Sequence, residues 1–490
     1  AAANASGGAD LVSIENSALY VSGNSQNLVR TEVAGSSTQK MYISFWVYFT
    51  SIDTFHFVWG ITESSGNSLN YLGINTNSTF EYLDRDSSLT AQCRLITTQV
   101  FRDTGWYHVE LLFDTTQATP SDRNIFKVNG KRITDFSTET NYTLNDNFGS
   151  AGIADNFCTF GDYHVSAYYY WDGYMAEAVR IDGDPAGIST GEFDETGLYW
   201  TPKSSTEIKA LTFGNNGCYL DNVTNAQTDA SGEGHNFTNN NTVTTTTHTP
   251  TNTEFLWAPI NIGSVASTVP VTSNGNRTIL CSGPDNDNEP RMGGNLAFPS
   301  AGKWIAGVTV ADTGNGKSFG VWTNRAQAVR LSNTEGMAGW FVSSAQTMHN
   351  SSGTINPVGV VTTATDDTLW IAVDIDNQNI FFGLYDLSAT TITWYAADGG
   401  TDGNPSTGAN PSEASLDMAG ATFGFAGRSS KTYTLVEEAD IPFTMPTGFK
   451  FLNTTNIASA TSRTASDTTK YFDTILYEGN GDGQRVGQFQ

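Results

Sequence analysis

Hydrophobicity in this chain alternates with a period of two over short runs and almost never with the period of a helix, which restricts the fold to β-structure. The plainest case is KMYISFWVYF, residues 40–49, where Ile43, Phe45, Val47 and Phe49 fall on one pleat face and Tyr42, Ser44, Trp46 and Tyr48 on the other. HFVWGITE, YLGINTNSTFEYLD, CRLITTQVF, GWYHVELLFD and NIFKVNGKRIT follow at close spacing, each bounded by Gly, Asn, Asp or Ser. Asn129-Gly130 between two alternating runs predicts a tight hairpin. AYYYWDGYMAEAVRIDGD closes this set, and with no helical window between the strands an antiparallel sandwich is expected rather than a parallel sheet.

A chain of 490 residues exceeds what one core can organise, so more than one domain is required. The alternation decays after about Trp200 and returns at GKWIAGVTV, SFGVWT, AGWFVSS, TLWIAVDIDNQNIFFGLYD, ATTITWYAAD, ATFGFAGRS and FKFLNT. DIDNQNIFFGL reads as a hairpin turning at Asp376, Asn377 and Gln378, with Ile380, Phe382 and Leu384 on one face of the returning strand. Between the two sets, NFTNNNTVTTTTHTPTNTE has too little apolar surface for a core of its own. The expected organisation is therefore all-β, two tandem antiparallel β-sandwiches of jelly-roll type. An N-terminal arm spans 1–12, a first sandwich 13–202, an extended Asn/Thr-rich connector 203–254 and a second sandwich 255–457. A C-terminal segment, 458–490, contains the strand-like YFDTILYEG. The opening AAANASGGAD has neither an initiator Met nor a signal-peptide core, the mark of a processed chain or of one recorded without its true beginning.

With 24 Lys and Arg against 50 Asp and Glu, the net charge of −26 repels nucleic acid and anionic membranes, and no apolar run is long enough for a spanning helix. Neither is expected as a partner. Cys93, Cys158, Cys218 and Cys281 form no C-x-x-C pair; buried free thiols are the expectation, with one disulfide as the alternative.

Several of these runs together resemble a family of tailed-phage tail-fibre and structural proteins that join a laminin-G-like (concanavalin A-like lectin) fold to a SPRY-like domain. In the first domain the likeness rests on SFWVYF, TQVFRDTGWYHVELLFDTTQATPSDRNIFKVNGKRITDF and WDGYMAEAVRIDGDPAGISTGEFDETGLYWTPK. It continues through LDNVTNAQTDASGEGHNFT and TPTNTE, and in the second domain through GKWIAGVTV, TLWIAVDIDNQNIFFGL and MPTGFKFLNTTNI. The resemblance covers nearly the whole chain, and KYFDTILYEGNGDGQ is similar to the opening of a further module. It implies a virion component on a tail or other appendage, exposed outside the cell, whose partners are other virion proteins, copies of itself and a host surface glycan or protein.

Fold alone does not establish function, so candidate sites stand on their own chemistry. In GEFDETG, Glu192 and Asp194 could share a strand face as paired carboxylates, but the E-x-D-x-E spacing of jelly-roll glycosidases needs a third at position 196, which is Thr196, and Glu195 points away. His56, His108, His164, His235, His248 and His349 show no metal-binding spacing, and no G-x-S-x-G elbow or phosphate loop occurs. His108 is expected on the outer face of its strand. No catalytic residue is expected, and the chain is expected not to be an enzyme.

No cofactor is required. Laminin-G-like and legume-lectin-like sandwiches often hold calcium at a loop rim, and the acidic turns that could supply its oxygen ligands are PDNDNEP (Asp285, Asp287, Glu289), Asp374 with Asp376, and Asp182 with Asp184, none of which fits the twelve-residue calcium loop. Sugar recognition uses exposed aromatic faces, because a pyranose has an apolar face and a polar edge. In AYYYWDGY alternation leaves either Tyr169 and Trp171, or Tyr168 and Tyr170, facing out; Tyr169 and Trp171 join Trp340 and Trp394 as candidate platforms, with Phe341 beside them. The expected function is lectin-like host-surface recognition by a virion appendage subunit. Its rivals are a purely structural capsid, filament or decoration subunit assembled through its arms, and a polysaccharide hydrolase disfavoured by the missing carboxylate.

Overall fold

A computed structural model describes residues 12–50, 54–101, 105–164, 169–194, 197, 199–258, 271–281, 291–311, 317–322, 337–342, 347–350, 353–357, 363–415, 418, 420–427 and 431–460. It is an all-β molecule of two antiparallel sandwiches. The Lys40–Phe49 run forms a central strand between Trp106–Asp114 and Gly173–Ile181 in an eight-stranded first sheet. Facing it, the second sheet orders Phe136–Thr140, Ala91–Thr97, Phe80–Arg85, Leu69–Ile74, His56–Thr62, Phe157–Phe160, Asn27–Thr31 and Thr238–Asn240. Ile43, Phe45, Val47 and Phe49 enter the core between the sheets, with Trp59, Leu72, Phe80, Tyr82 and Phe113. Each such side chain contributes about 1.5–3 kcal/mol by leaving water. Asn129 and Gly130, at φ 48° and 72°, make the predicted hairpin between Asn124–Val128 and Lys131–Arg132.

The outer face of the Lys40–Phe49 strand is buried as well. Tyr42 packs with Ile181, Phe213 and Tyr219; Trp46 with Ile14 and Ala176; and Tyr48 with Leu19, Tyr174 and Leu256. The second sandwich repeats the plan. Lys303–Val310, Thr368–Asp374 and Asn379–Asp386 lie side by side in a nine-stranded sheet, the last two forming the predicted hairpin. Ile380, Phe382 and Leu384 face its core. A six-stranded sheet containing Lys317–Trp322 and Met337–Val342 is the other layer.

The segment 203–254, read as a connector that drapes over a neighbour, lies on the first sandwich as strands: Cys218–Leu220 and Thr244–Thr246 join the first sheet, and Thr238–Asn240 joins an edge of the second. Most of its sparse large apolar residues, among them Ile208, Phe213, Tyr219, Leu220, Phe237 and Val243, are buried, whereas Val223 is exposed. A sheet edge asks only for backbone pairing and an occasional apolar contact, which an Asn/Thr-rich chain supplies. The first sandwich thus runs to about Thr246 rather than ending at 202. α-Helix is confined among the described residues to Ser205–Lys209 and Thr454–Ala460. The arm up to residue 11 and residues 461–490, including YFDTILYEG, lie outside the described residues. Cys93, Cys158 and Cys218 are free and buried, as read from the sequence.

The sandwiches meet through a buried polar joint. The Arg277 guanidinium donates through Nη2 to Glu254 Oε2 at 2.7 Å and through Nε to the Tyr174 hydroxyl at 3.3 Å, and it pairs with Glu437. Tyr174 donates in turn to the Gly275 carbonyl at 2.7 Å. His248 lies among the rings of Tyr48, Tyr174 and Trp106, and its Nδ1 accepts the Glu254 N–H at 3.0 Å. Burial and the nearby Arg277 charge hold this imidazole neutral, well below its usual titration range.

Candidate functional site

Strand alternation in the second sheet sends Tyr82, Leu72 and Ile74 inward and leaves Tyr71, Leu69 and Leu83 on its outer face, where a bulge between Phe57 and Trp59 adds Phe57. There Phe57 and Tyr71 meet at 4.5 Å between ring centroids, Tyr163 stacks on Phe57 at 5.0 Å, and Phe55 lies edge-on to both Phe57 and Tyr71. Phe55 reaches this position because Gly73 has no side chain: a Cβ there would come within 2.6 Å of the ring. Tyr169 covers the group, 5.5 Å from Phe55 and 5.9 Å from Phe57, and is 51% exposed. Its φ of 70° is the left-handed region that a tyrosine avoids unless its surroundings impose it, and its carbonyl is fixed by the Phe57 N–H at 2.9 Å.

Polar groups rim this five-ring patch. Glu81 accepts from the Tyr71 hydroxyl at 3.2 Å and from Arg94 Nε at 3.0 Å, while Arg85 and the Tyr163 hydroxyl converge on the Gly66 carbonyl. Rigid aromatic faces with a hydrogen-bonding edge suit a ligand that is apolar on one side and hydroxylated at its rim. Of the four aromatic residues proposed from sequence, the patch contains Tyr169 alone. Phe55, Phe57, Tyr71 and Tyr163 were not foreseen. The alternation of YLGI marks Tyr71 for the outer face, but strict alternation of HFVWGIT would send Phe57 inward with Trp59 and Ile61; the bulge between Phe57 and Trp59 turns it outward instead.

Trp171 is corrected: it is fully buried in the first core, edge-on to Phe49 at 5.4 Å. The left-handed turn at Tyr169 interrupts the alternation that would have paired the two residues, and the Trp171 N–H donates to the Gly161 carbonyl at 2.7 Å. Trp394 is also no surface platform. Its indole lies over Gly383, within 2.7 Å of where a Cβ would stand, and Phe443 meets it edge-on at 6.2 Å. Trp340 belongs to the Met337–Val342 strand, but its side chain, like that of Phe341, lies outside the described residues. Asp285, Asp287 and Glu289 lie outside them too.

The other acidic turns are occupied by the fold itself. Asp182 accepts the N–H groups of Ser36 and Asn216 at 2.8 and 3.1 Å, and Asp184 pairs with Lys40. Asp374 pairs with Lys303 at 2.8 Å, and Asp376 accepts the Gly302 N–H. Among the described residues no cluster of three or more His, Cys, Asp or Glu is arranged to hold a metal.

Glu192 is exposed, and Asp194 accepts the Tyr199 N–H in the loop that closes the hairpin of Gly191–Phe193 with Trp200–Pro202. That hairpin covers the outer-face His108, which is fully buried. Trp200 Nε1 donates to His108 Nδ1 at 2.9 Å, so the ring proton sits on Nε2, 3.0 Å from the Thr190 hydroxyl. A nitrogen that already bears its proton cannot take one from Thr190. Burial, with the Lys127 charge nearby, pushes this imidazole down to about 3. Glu110 binds the Tyr42 and Ser189 hydroxyls instead of orienting the ring. The cluster ties the hairpin to the sheet.

No protein-family model and no curated protein matches the chain. Among solved structures, mouse laminin α1 domains LG4-5 align at 8% identity over 89% of this chain and 84% of theirs, with a TM-score of 0.29. The SPRY domain of human HERC1 aligns at 11% identity over 37% of this chain and 98% of its own, TM-score 0.26. The CBM40 of a Ruminococcus gnavus IT-sialidase, bound to α2,3 sialyllactose, aligns at 16% identity over 28% and 73%, TM-score 0.22. These scores are low, and the two-sandwich architecture rests on the strand pairing itself.

Proposed function

We propose that this chain is a glycan-recognising, non-enzymatic subunit of a phage tail fibre or comparable virion appendage, acting outside the cell by surface complementarity. The observation that carries the reading is the aromatic patch on the second sheet, where Tyr169 is exposed yet held at φ 70° over Phe55 and Phe57. An exposed ring fixed in a costly backbone conformation is the kind of local strain a binding surface retains. The phrase-level resemblance supplies the virion setting and the expectation of contacts with copies of itself and other virion proteins. The net charge of −26 disfavours nucleic acid, and no described helix is long and apolar enough to cross a membrane.

The test is a glycan array with the full chain, run with and without calcium, in parallel with Tyr169→Ala and Phe55→Ala. Binding of at least one glycan by the parent, weakened tenfold or more by Tyr169→Ala with an unchanged circular dichroism spectrum, is expected. The absence of any bound sugar in both conditions would favour the purely structural rival, and turnover of a polysaccharide would overturn the non-enzymatic reading.

A further inference from the structure

The aromatic patch is joined to a buried acid. Gly161 turns the chain at φ 93° out of the Phe157–Phe160 strand, with the Tyr20 ring 2.5 Å from where a Cβ would stand, and the next two residues are Asp162 and Tyr163. Asp162 is 4% exposed. Its Oδ2 accepts the Asn27 amide N–H at 2.9 Å, and its backbone carbonyl accepts the Thr159 hydroxyl at 2.9 Å. Its Oδ1 is buried with no hydrogen-bond partner among the described residues, and no cation among them pairs with the carboxyl. From the adjoining position Tyr163 stacks on Phe57.

A carboxylate with one oxygen unmet and no cation beside it is costly to bury, and taking up a proton removes the charge. The surroundings give the charged form little support. The Asn27–Thr31 strand supplies the Asn27 amide, which itself accepts from Asn240. The Ser17–Tyr20 strand brings the Tyr20 phenol, an acid and not a cation, and His164 is turned to the Phe157 ring, 4.1 Å between centroids. Burial accordingly raises the Asp162 carboxyl from 3.8 to about 7. For water to reach the ionised group, Asp162 has to leave its buried position, and the adjoining Tyr163 is drawn off Phe57 with it.

We propose that Asp162 is a proton-operated latch for the aromatic patch: the neutral carboxyl keeps Tyr163 seated on Phe57, and ionisation at neutral to alkaline pH releases it. The latch is a property of the chain alone; that it regulates sugar binding rests on the reading of the patch as a glycan site.

The test is amide hydrogen exchange of the full chain from pH 5 to pH 9, corrected for intrinsic rates. The amides to follow are Gly161, bonded to the Val58 carbonyl, and Trp171, bonded to the Gly161 carbonyl. An acid whose value is higher when buried favours the seated form most below about pH 4, and that advantage is lost as pH rises to about 7. Protection should therefore fall about fiftyfold from pH 5 to pH 7 and only about twofold more by pH 9. Asp162→Asn keeps an acceptor for Asn27 and cannot ionise, so its protection should stay level. In the parent the Asp162 carboxyl carbon should titrate at about pH 7, a measurement that serves even if the variant does not fold. Amides of Lys40–Phe49 should remain at least about a hundredfold better protected throughout, because the latch opens without unfolding the sandwich. A level profile in the parent, a carboxyl midpoint near 4, or equal protection at the latch and in that strand each overturns the proposal. On the glycan array, parent binding should be weaker at pH 8.5 than at pH 6 and equal at the two in Asp162→Asn. Sugar binding indifferent to pH beside the exchange slope overturns the regulation, whereas the slope with no sugar bound at either pH leaves the latch standing and removes the glycan reading.

Discussion

Replacing Asp84 with Asn should make the first sandwich more stable at pH 8 and leave it nearly unchanged at pH 4. Asp84 is fully buried at the end of the Phe80–Arg85 strand, where burial raises its carboxyl to about 7 against hydrogen bonds that pull the other way. Those bonds come from the Tyr142 hydroxyl at 2.6 Å and the Gly149 N–H at 3.0 Å, and no cation among the described residues pairs with the carboxylate. An acid whose folded pKa lies above its unfolded value binds its proton more tightly when folded. Stability is therefore highest below about pH 4 for this group and is lost as pH rises to about 7. A rise from 3.8 to about 7 corresponds to about 4 kcal/mol lost across that window. Asn keeps an acceptor for the Gly149 N–H and can donate to the Tyr142 oxygen, whose own proton then turns to Tyr82, 2.9 Å away. The variant should therefore gain about 2–4 kcal/mol at pH 8. Urea unfolding of both proteins from pH 4 to 8, followed by near-ultraviolet circular dichroism, measures the difference. Parallel stability curves for parent and variant across that range would refute the assignment of the pH slope to Asp84.

Trp171→Ala should destabilise the first sandwich by about 3–5 kcal/mol as a core cavity, with its effect on sugar binding no larger than the fraction unfolded explains; a soluble, stable variant that loses only binding would contradict its place in the core. Arg277→Met should cost about 3–5 kcal/mol by stranding Glu254 and open the joint, read as faster proteolytic cleavage near 247–258; an unchanged cleavage rate would count against a rigid joint. The His108 ring, held at about 3, should show constant imidazole carbon and nitrogen shifts from pH 8 down to pH 5, whereas a titration near pH 6.5 would deny its burial. Gly73→Val should eject Phe55 from the aromatic patch and weaken any sugar binding as much as Phe55→Ala does, measured on the same array.

The strands were legible because alternation is a property of contiguous residues: KMYISFWVYF, DIDNQNIFFGL and the Asn129-Gly130 hairpin each stand where their patterns put them. The strands within 203–254 were not legible because composition measures apolar content, whereas Thr238–Asn240 and Thr244–Thr246 are held by backbone pairing that any non-proline residue can make. Trp171 was misplaced because one left-handed residue, Tyr169, shifts the alternation of everything around it, and no local signal marks a non-glycine residue that tertiary contacts force to positive φ. The aromatic patch was largely invisible for another reason. Phe55, Phe57, Tyr71, Tyr163 and Tyr169 come from well-separated stretches, and only the pairing of Phe157–Phe160 and Leu69–Ile74 on either side of His56–Thr62 assembles them.

The Lys40–Phe49 strand also limits where a ligand can meet the first sandwich. A strand with one wet face would carry polar residues opposite Ile43, Phe45, Val47 and Phe49, yet it carries Tyr42, Trp46 and Tyr48. Those three are covered in turn by the 205–219 region, by Ile14 with the Trp200 hairpin, and by Leu256 at the joint to the second sandwich. The outer face of the first sheet is therefore spent on holding the chain to itself. Among the described residues the second sheet has no such cover over Tyr169, which is 51% exposed, and its outer aromatic residues pack against one another and against Leu69 and Leu83, beside a rim of Glu81, Arg85 and Arg94. If the first sandwich recognises a sugar by stacking, the surface that remains for it is the one that Tyr169 tops, and the array with Tyr169→Ala interrogates that face and no other.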